Sequence, residues 1–322
     1  MRKHDRKLDL AARAAWLYYV AGKRQDEIAG QLNVSRQAVQ RLVSLAVSEK
    51  LIKFRLDHPL AACVQLGEQL RERFGLAYCS VQPADDVETR PSAGVAIAAA
   101  DHLATYLAER DPLVLAFSTG RTLRAVADEM PALDCPQHKF VSLVGTISRD
   151  GRASPYEVVR RLAECTGAEC FPIPTPVVAS SIEERRLLQT QRSFTMVRDL
   201  ARQAVAAFVG IGSIGWQSPL HRDHFVTDEE VVELIEHGAV GEIAGWAYNN
   251  AGRLIQCSVN DRNAALPLGE LGTARMIGVS SGSDRVLAIA AALRGGLLGG
   301  LITDERTAHV LLRRQSGLDT AA

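Results

Sequence analysis

Several features are scarce in this 322-residue chain, and each scarcity excludes something. The six cysteines (Cys63, Cys79, Cys135, Cys165, Cys170 and Cys257) form no C-x-x-C pair. They predict reduced core thiols and no metal site. The opening Met-Arg-Lys-His-Asp-Arg-Lys lacks the apolar stretch of a signal peptide. No uncharged apolar run approaches the length of a membrane span. The expectation is a cytoplasmic protein without a membrane partner.

Net charge is also absent, with 37 Lys and Arg against 37 Asp and Glu, but the balance conceals an asymmetry. Residues 1–55 hold twelve basic against five acidic residues, a charge of +7; the remainder holds twenty-five against thirty-two, −7. A basic head on an acidic body predicts that the head alone meets a polyanion. Apolar residues at 47% and charged residues at 23% are ordinary for a folded protein. The length accommodates two domains, and His58-Pro59 marks the boundary because a residue before proline resists continuing a helix. The expected division is 1–57 and 58–322.

In the head, Leu8, Ala12, Ala15, Trp16 and Tyr19 recur at helical spacing and predict one apolar face. Gly22 ends that helix. A second runs from Gln25 to Leu32, Asn33 makes a sharp turn, and Ser35 caps a third that runs to Glu49 with Val39, Leu42 and Ala46 inward. This is helix-turn-helix spacing. Arg36, Gln37, Gln40 and Arg41 lie exposed early on the third helix, where Arg suits guanine and Gln suits adenine. Lys23, Arg24 and Lys50 are placed for phosphates, which position without specifying. Arg24 stands where a Ser or Thr cap is expected, which predicts a weakened helix start. Lys53-Phe54-Arg55-Leu56 alternates like a short wing strand.

Residues 60–74 read as a connecting helix, serving either domain packing or a dimer contact. Beyond it, strands are expected at Ala77–Val81, Leu113–Phe117, Phe140–Val144, Ala204–Val209, Met276–Val279 and Leu301–Ile302. Helices are expected near 92–109, 122–129, 155–166, 228–237, 284–294 and 304–314. The alternation predicts an α/β body with a mainly parallel, doubly wound sheet. Ligands of such sheets bind at the carboxyl ends of strands.

The loops there are informative. Ser118, Thr119, Gly120, Arg121 and Thr122 combine hydroxyls, a glycine, an arginine and a helix start, which is the chemistry of an anion-binding loop. A plain capped turn with a solvated arginine is the alternative. Gly210-Ile211-Gly212-Ser213-Ile214-Gly215 is formally a G-x-G-x-x-G. It comes late in the chain, and the following acids sit in Thr227-Asp228-Glu229-Glu230, a capping box. A dinucleotide is therefore not expected, whereas close approach to a smaller ligand is. Ser280-Ser281-Gly282-Ser283-Asp284-Arg285 is a third small-residue loop with a cation inside it. Thr303 is expected to cap the final helix. The candidate effector set is Ser118–Thr122, Gly212, Ser213 and Arg285, with no cofactor.

Together these segments resemble the SorC family of sugar-responsive regulators, related to the DeoR regulators. The resemblance rests on Trp16–Tyr19, Gln25–Asn33, Phe117–Leu123, Gly238–Ile243 and Leu301–Glu305. It implies a sugar, polyol or sugar-phosphate effector, operator DNA, and a dimer or tetramer. It also implies an effector domain similar to sugar-phosphate isomerases and glucosamine-phosphate deaminases. Those enzymes carry an Asp-Glu pair where this chain has Gly145-Thr146, and Asp and His where it has Ile214 and Trp216. Isoleucine and tryptophan supply no protons for acid–base chemistry, so the resemblance implies a binding site with no catalytic residues. The competing reading is an isomerase or deaminase with a helix-turn-helix head.

Overall fold

The computed structural model describes residues 3–49, 51–52, 60–84, 92–147, 151–152, 156–271 and 275–313. The expected wing at 53–56 and Lys50 lie outside them. The chain divides into two compact units, Met1–His58 and Pro59–Ala322.

The first unit contains α1 (Lys3–Ala15), a π-helical turn at Trp16–Val20, α2 (Gln25–Leu32) and α3 (Arg36–Ser48). Its core joins Ala11, Ala14, Ala15 and Leu17 to Ile28, Val39, Leu42, Val43 and Ala46. Trp16 and Tyr19, expected inward, are 55% and 43% exposed. The cause is the wider turn: Ala21 N–H reaches Trp16 O, five residues back, so each side chain rotates less than in an α-helix. Leu17 is thereby brought inward in their place. Asn33 adopts the left-handed conformation (φ 52, ψ 47), and the Ser35 hydroxyl accepts the Ala38 N–H at 3.2 Å. The start of α2 is not left bare by Arg24, because the Glu27 carboxylate accepts the Arg24 N–H at 2.8 Å.

The second unit begins with α4 (Ala61–Phe74), β1 (Tyr78–Gln82), α5 (Ala93–Leu107), β2 (Val114–Phe117), α6 (Arg121–Glu129) and β3 (Lys139–Ile147). There follow α7 (Val158–Thr166), β4 (Glu169–Pro176), α8 (Ile182–Thr190), α9 (Arg192–Ala201), β5 (Ala206–Gly210) and β6 (Gly212–Ser213). Next come α10 (Pro219–Arg222), α11 (Asp228–Glu236), β7 (Ala239–Ile243), β8 (Trp246–Asn249) and α12 (Ser258–Arg262). The unit closes with β9 (Arg275–Val279), α13 (Val286–Arg294), β10 (Gly300–Asp304) and α14 (Glu305–Arg313).

Seven strands form one parallel sheet in the order β1-β10-β9-β5-β2-β3-β4. Alternate side chains serve opposite faces. Leu115, Phe117, Ala206 and Phe208 pack with α5 and α6, whereas Ala116, Ala207 and Val209 belong to the core on the other face. From β2 the chain proceeds outward to β3 and β4, then returns to place β5 on the opposite flank of β2. The β2/β5 boundary is therefore a topological switch point, with a crevice at its carboxyl end. Strands β6, β7 and β8 form a separate antiparallel sheet that the sequence patterns did not predict. Strand β10 continues through Asp304, whose carboxylate accepts the Thr307 N–H at 2.7 Å, so Asp304 and not Thr303 caps α14.

His102 of α5 stacks on Tyr78, with ring centroids 3.8 Å apart, and its Nε2 is buried without a hydrogen-bond partner. Burial holds its pKa below the usual value. The unfolded chain then binds the proton more readily, so stability falls as pH drops below about 6.5 toward the folded pKa. Between pH 7.5 and 5.5, His102→Phe should lose less stability than the parent in urea unfolding. Equal losses would show that His102 does not titrate with folding.

Candidate functional site

On the first unit, Ser35, Arg36, Gln37, Gln40 and Arg41 are all exposed, and the last four line the outward side of α3. Arg24 is exposed and Lys23 half-buried, its Nζ donating to Gln31 at 2.6 Å. Arg36 lies 3.6 Å from Asp26, but both side chains are largely exposed. Such a solvated pair is weak, which leaves Arg36 available to another partner.

On the second unit, the loops after β2, β5 and β9 meet at the switch point. The Ser118 hydroxyl accepts the Gly210 N–H at 3.0 Å, and the Ser280 hydroxyl donates to Ile211 O at 3.2 Å. These two serines tie the three loops together. Ser118, Thr119, Gly120, Arg121, Thr122, Gly212 and Arg285 all line one cavity there. Ser213 does not; it pairs with Gly241 in the small sheet. Gly120 (φ 122) precedes α6, so the positive end of that helix opens on the cavity.

Three further residues complete the polar lining. Tyr156 precedes α7, Asp223 follows α10, and Glu242 belongs to β7. Arg121 Nε donates to the Tyr156 hydroxyl at 3.1 Å and Nη2 donates to Asp223 Oδ1 at 3.1 Å. The Tyr156 hydroxyl donates to Asp223 Oδ2 at 2.6 Å, closing a triangle. The bond to Tyr156 raises the Arg121 pKa, and burial followed by the bond to Asp223 raises that of Tyr156, so both remain donors.

Glu242 is half-buried and lines the cavity, and its Oε2 accepts the Gly245 N–H at 2.8 Å. Burial pushes its carboxyl up to about 6, against the lowering effect of that N–H. Its side chain lies across Gly212: a Cβ there would overlap Glu242 Oε1 and stand 3.0 Å from Cδ. The second glycine of the G-x-G-x-x-G is therefore explained by an internal carboxylate.

Sequence reasoning passed over Tyr156, Asp223 and Glu242. Tyr156 and Asp223 sit in connections without hydrophobic periodicity. Glu242 lay within Gly238–Ile243, but nothing local showed that β7 folds back over the cavity. Ile214 packs against the core and Trp216 is half exposed.

Residues 58–313 match the family described as "Putative sugar-binding domain". The erythritol catabolism regulatory protein EryD of Brucella abortus is 34% identical over 308 residues, covering 96% of this chain and 98% of that protein. The deoxyribonucleoside regulator of Bacillus subtilis is 29% identical over 313 residues, covering 95% and 98%. Among solved structures, the full-length sorbitol operon regulator SorC of Klebsiella pneumoniae has a TM-score of 0.73 at 23% identity, covering 95% of this chain and 98% of that one. The matched family model, the full-length agreement with these regulators and the shared fold lead to one assignment: the chain belongs to the SorC family of transcriptional regulators.

Proposed function

We propose that this protein controls a sugar or polyol catabolic operon, its residues 1–57 binding operator DNA and its residues 58–322 binding a sugar, polyol or sugar-phosphate effector. The observation that carries the reading is the convergence of three loops, from β2, β5 and β9, on the cavity at the sheet's switch point. The names of full-length relatives supply the regulatory context. The protein works as a cytoplasmic dimer or tetramer on a roughly palindromic operator, since one three-helix head buries little surface for tight specific binding.

The same cavity argues for binding over turnover. The Asp223 carboxylate is fixed by both Arg121 and Tyr156, which suits a binding group. The test is a gel-shift titration of promoter DNA with and without a panel of sugars, polyols and their phosphates, alongside a turnover assay on the phosphates. Turnover without an effector-dependent shift would favour the enzyme reading.

For the head, Arg36→Ala and Arg41→Ala should each cost about 1–3 kcal/mol on the operator and relax its sequence preference. Lys23→Ala should weaken all sequences alike and reduce the salt dependence. If the arginine variants prove as indifferent to sequence as Lys23→Ala, α3 does not read the groove.

A further inference from the structure

The balance of charge around the cavity bears on its ligand. Among the described residues, its ionisable lining comprises Arg121, Arg285, Asp223 and Glu242, with the phenol of Tyr156 neutral. Two cations thus face two carboxylates. The cations are also engaged: Arg121 spends Nε and Nη2 on Tyr156 and Asp223, while Arg285 donates from Nη1 to Ser281 O at 3.0 Å and lies 3.6 Å from Asp284. A phosphate dianion drawn to the Arg121 guanidinium would lie beside the Asp223 carboxylate that the guanidinium already holds, a group only 19% exposed at its side chain. It would also sit in the same small space as Glu242.

A chain of hydroxyls meets no such opposition. Each hydroxyl both donates and accepts. Asp223 and Glu242 offer acceptors, while Thr119, Thr122 and the N–H groups at the start of α6 offer donors. Val144, Val177, Leu220 and Phe225 are among the apolar residues of the lining and suit the C–H edges of a short carbon chain.

Resting on the reading of this cavity as the effector site, we propose that its ligand is an uncharged polyol or open sugar, recognised through donation to Asp223 and Glu242, and not a phosphate ester. Two surfaces that usually compete, a cationic loop and a carboxylate pair, are here balanced within one cavity, so discrimination against phosphate is built into the site's charge.

The experiment uses the full-length protein at pH 7.5, where the Glu242 carboxyl is ionised. Melting temperature and calorimetric Kd are measured with erythritol, ribitol, xylitol and D-sorbitol, and with the monophosphates of erythritol and sorbitol. The expected result is that at least one free polyol raises Tm by roughly 5 °C at a hundred times its Kd, while neither monophosphate binds within tenfold of its parent. Asp223→Asn and Glu242→Gln, whose Tm without ligand reports whether they fold, should each weaken the polyol at least tenfold and narrow its advantage over the phosphate. A monophosphate that binds tenfold tighter than its parent, and loses that binding in Arg121→Ala, overturns the uncharged ligand and leaves the effector site in place. Binding that persists unchanged in Arg121→Ala, Asp223→Asn and Glu242→Gln overturns the site itself. Failure of every probe to bind overturns the proposal.

Discussion

Arg121→Ala is expected to hold operator DNA as the parent does and to lose its response to effector. The guanidinium joins the loop after β2 to the segment after α10 through Tyr156 and Asp223, so its removal takes a donor from the cavity and strands a half-buried carboxylate. Losing a hydrogen bond to a charged group costs about 2–3 kcal/mol, which raises the effector concentration for half response roughly 30- to 150-fold. A ligand shifts DNA affinity only through its different affinities for two arrangements of the protein, and operator DNA must alter effector affinity by the same factor. Both halves of that statement can be measured by operator binding with and without effector, and by calorimetry with and without DNA. Arg285→Ala should be milder if the effector is uncharged. A normal response from Arg121→Ala would move the effector site elsewhere.

Glu230→Ala should be among the most destabilising single changes in the second unit. One oxygen of Glu230 accepts the Thr227 N–H at 2.8 Å in the capping box that opens α11, and the other pairs with Arg262. Both side chains are nearly buried, and Arg262 additionally donates to Ser258 O at 3.0 Å. Removing the carboxylate leaves a buried cation without its anion, a loss of about 3–5 kcal/mol. Thr227→Ala removes only the cap hydroxyl, at about 1 kcal/mol. Urea unfolding of the two variants separates the contributions. Similar midpoints would mean that the ion pair adds nothing beyond the cap.

Much of this architecture is legible in the residues themselves. Strands β1, β2, β3, β5, β9 and β10 are short apolar runs beside amphipathic helices, and the expected parallel, doubly wound sheet is what forms. Strand β4 escaped because Glu169–Pro176 has prolines at 172, 174 and 176, which break the strand pattern and are tolerated at the sheet edge it occupies. Helix α8 escaped because none of its residues is buried, leaving no apolar stripe to read. The π turn at Trp16–Val20 defeated the inward assignment of Trp16 and Tyr19, since a period of 3.6 assumes an unbroken α-helix. At the cavity, cations and glycines were visible as motifs because each sits in a strand-to-helix loop. Their acidic counterparts arrive from other parts of the chain, and only the folded arrangement shows that the positive loop is electrically balanced.

The packing of Glu242 across Gly212 has a consequence for how such proteins diverge. A side chain at 212 would strike the far end of a flexible glutamate, so the fold could tolerate it by swinging the carboxylate aside. What changes is the direction in which the acid points, and with it the hydroxyl pattern that the cavity accepts. Positions 212 and 242 therefore form an inheritance unit. In an alignment of descendants, a bulkier residue at 212 should coincide with a shorter or neutral residue at 242. The boundary between such pairs should follow a change of effector more closely than it follows overall sequence distance. A lineage could then acquire a new effector by two mutually permissive steps at contacting positions, leaving the first unit untouched.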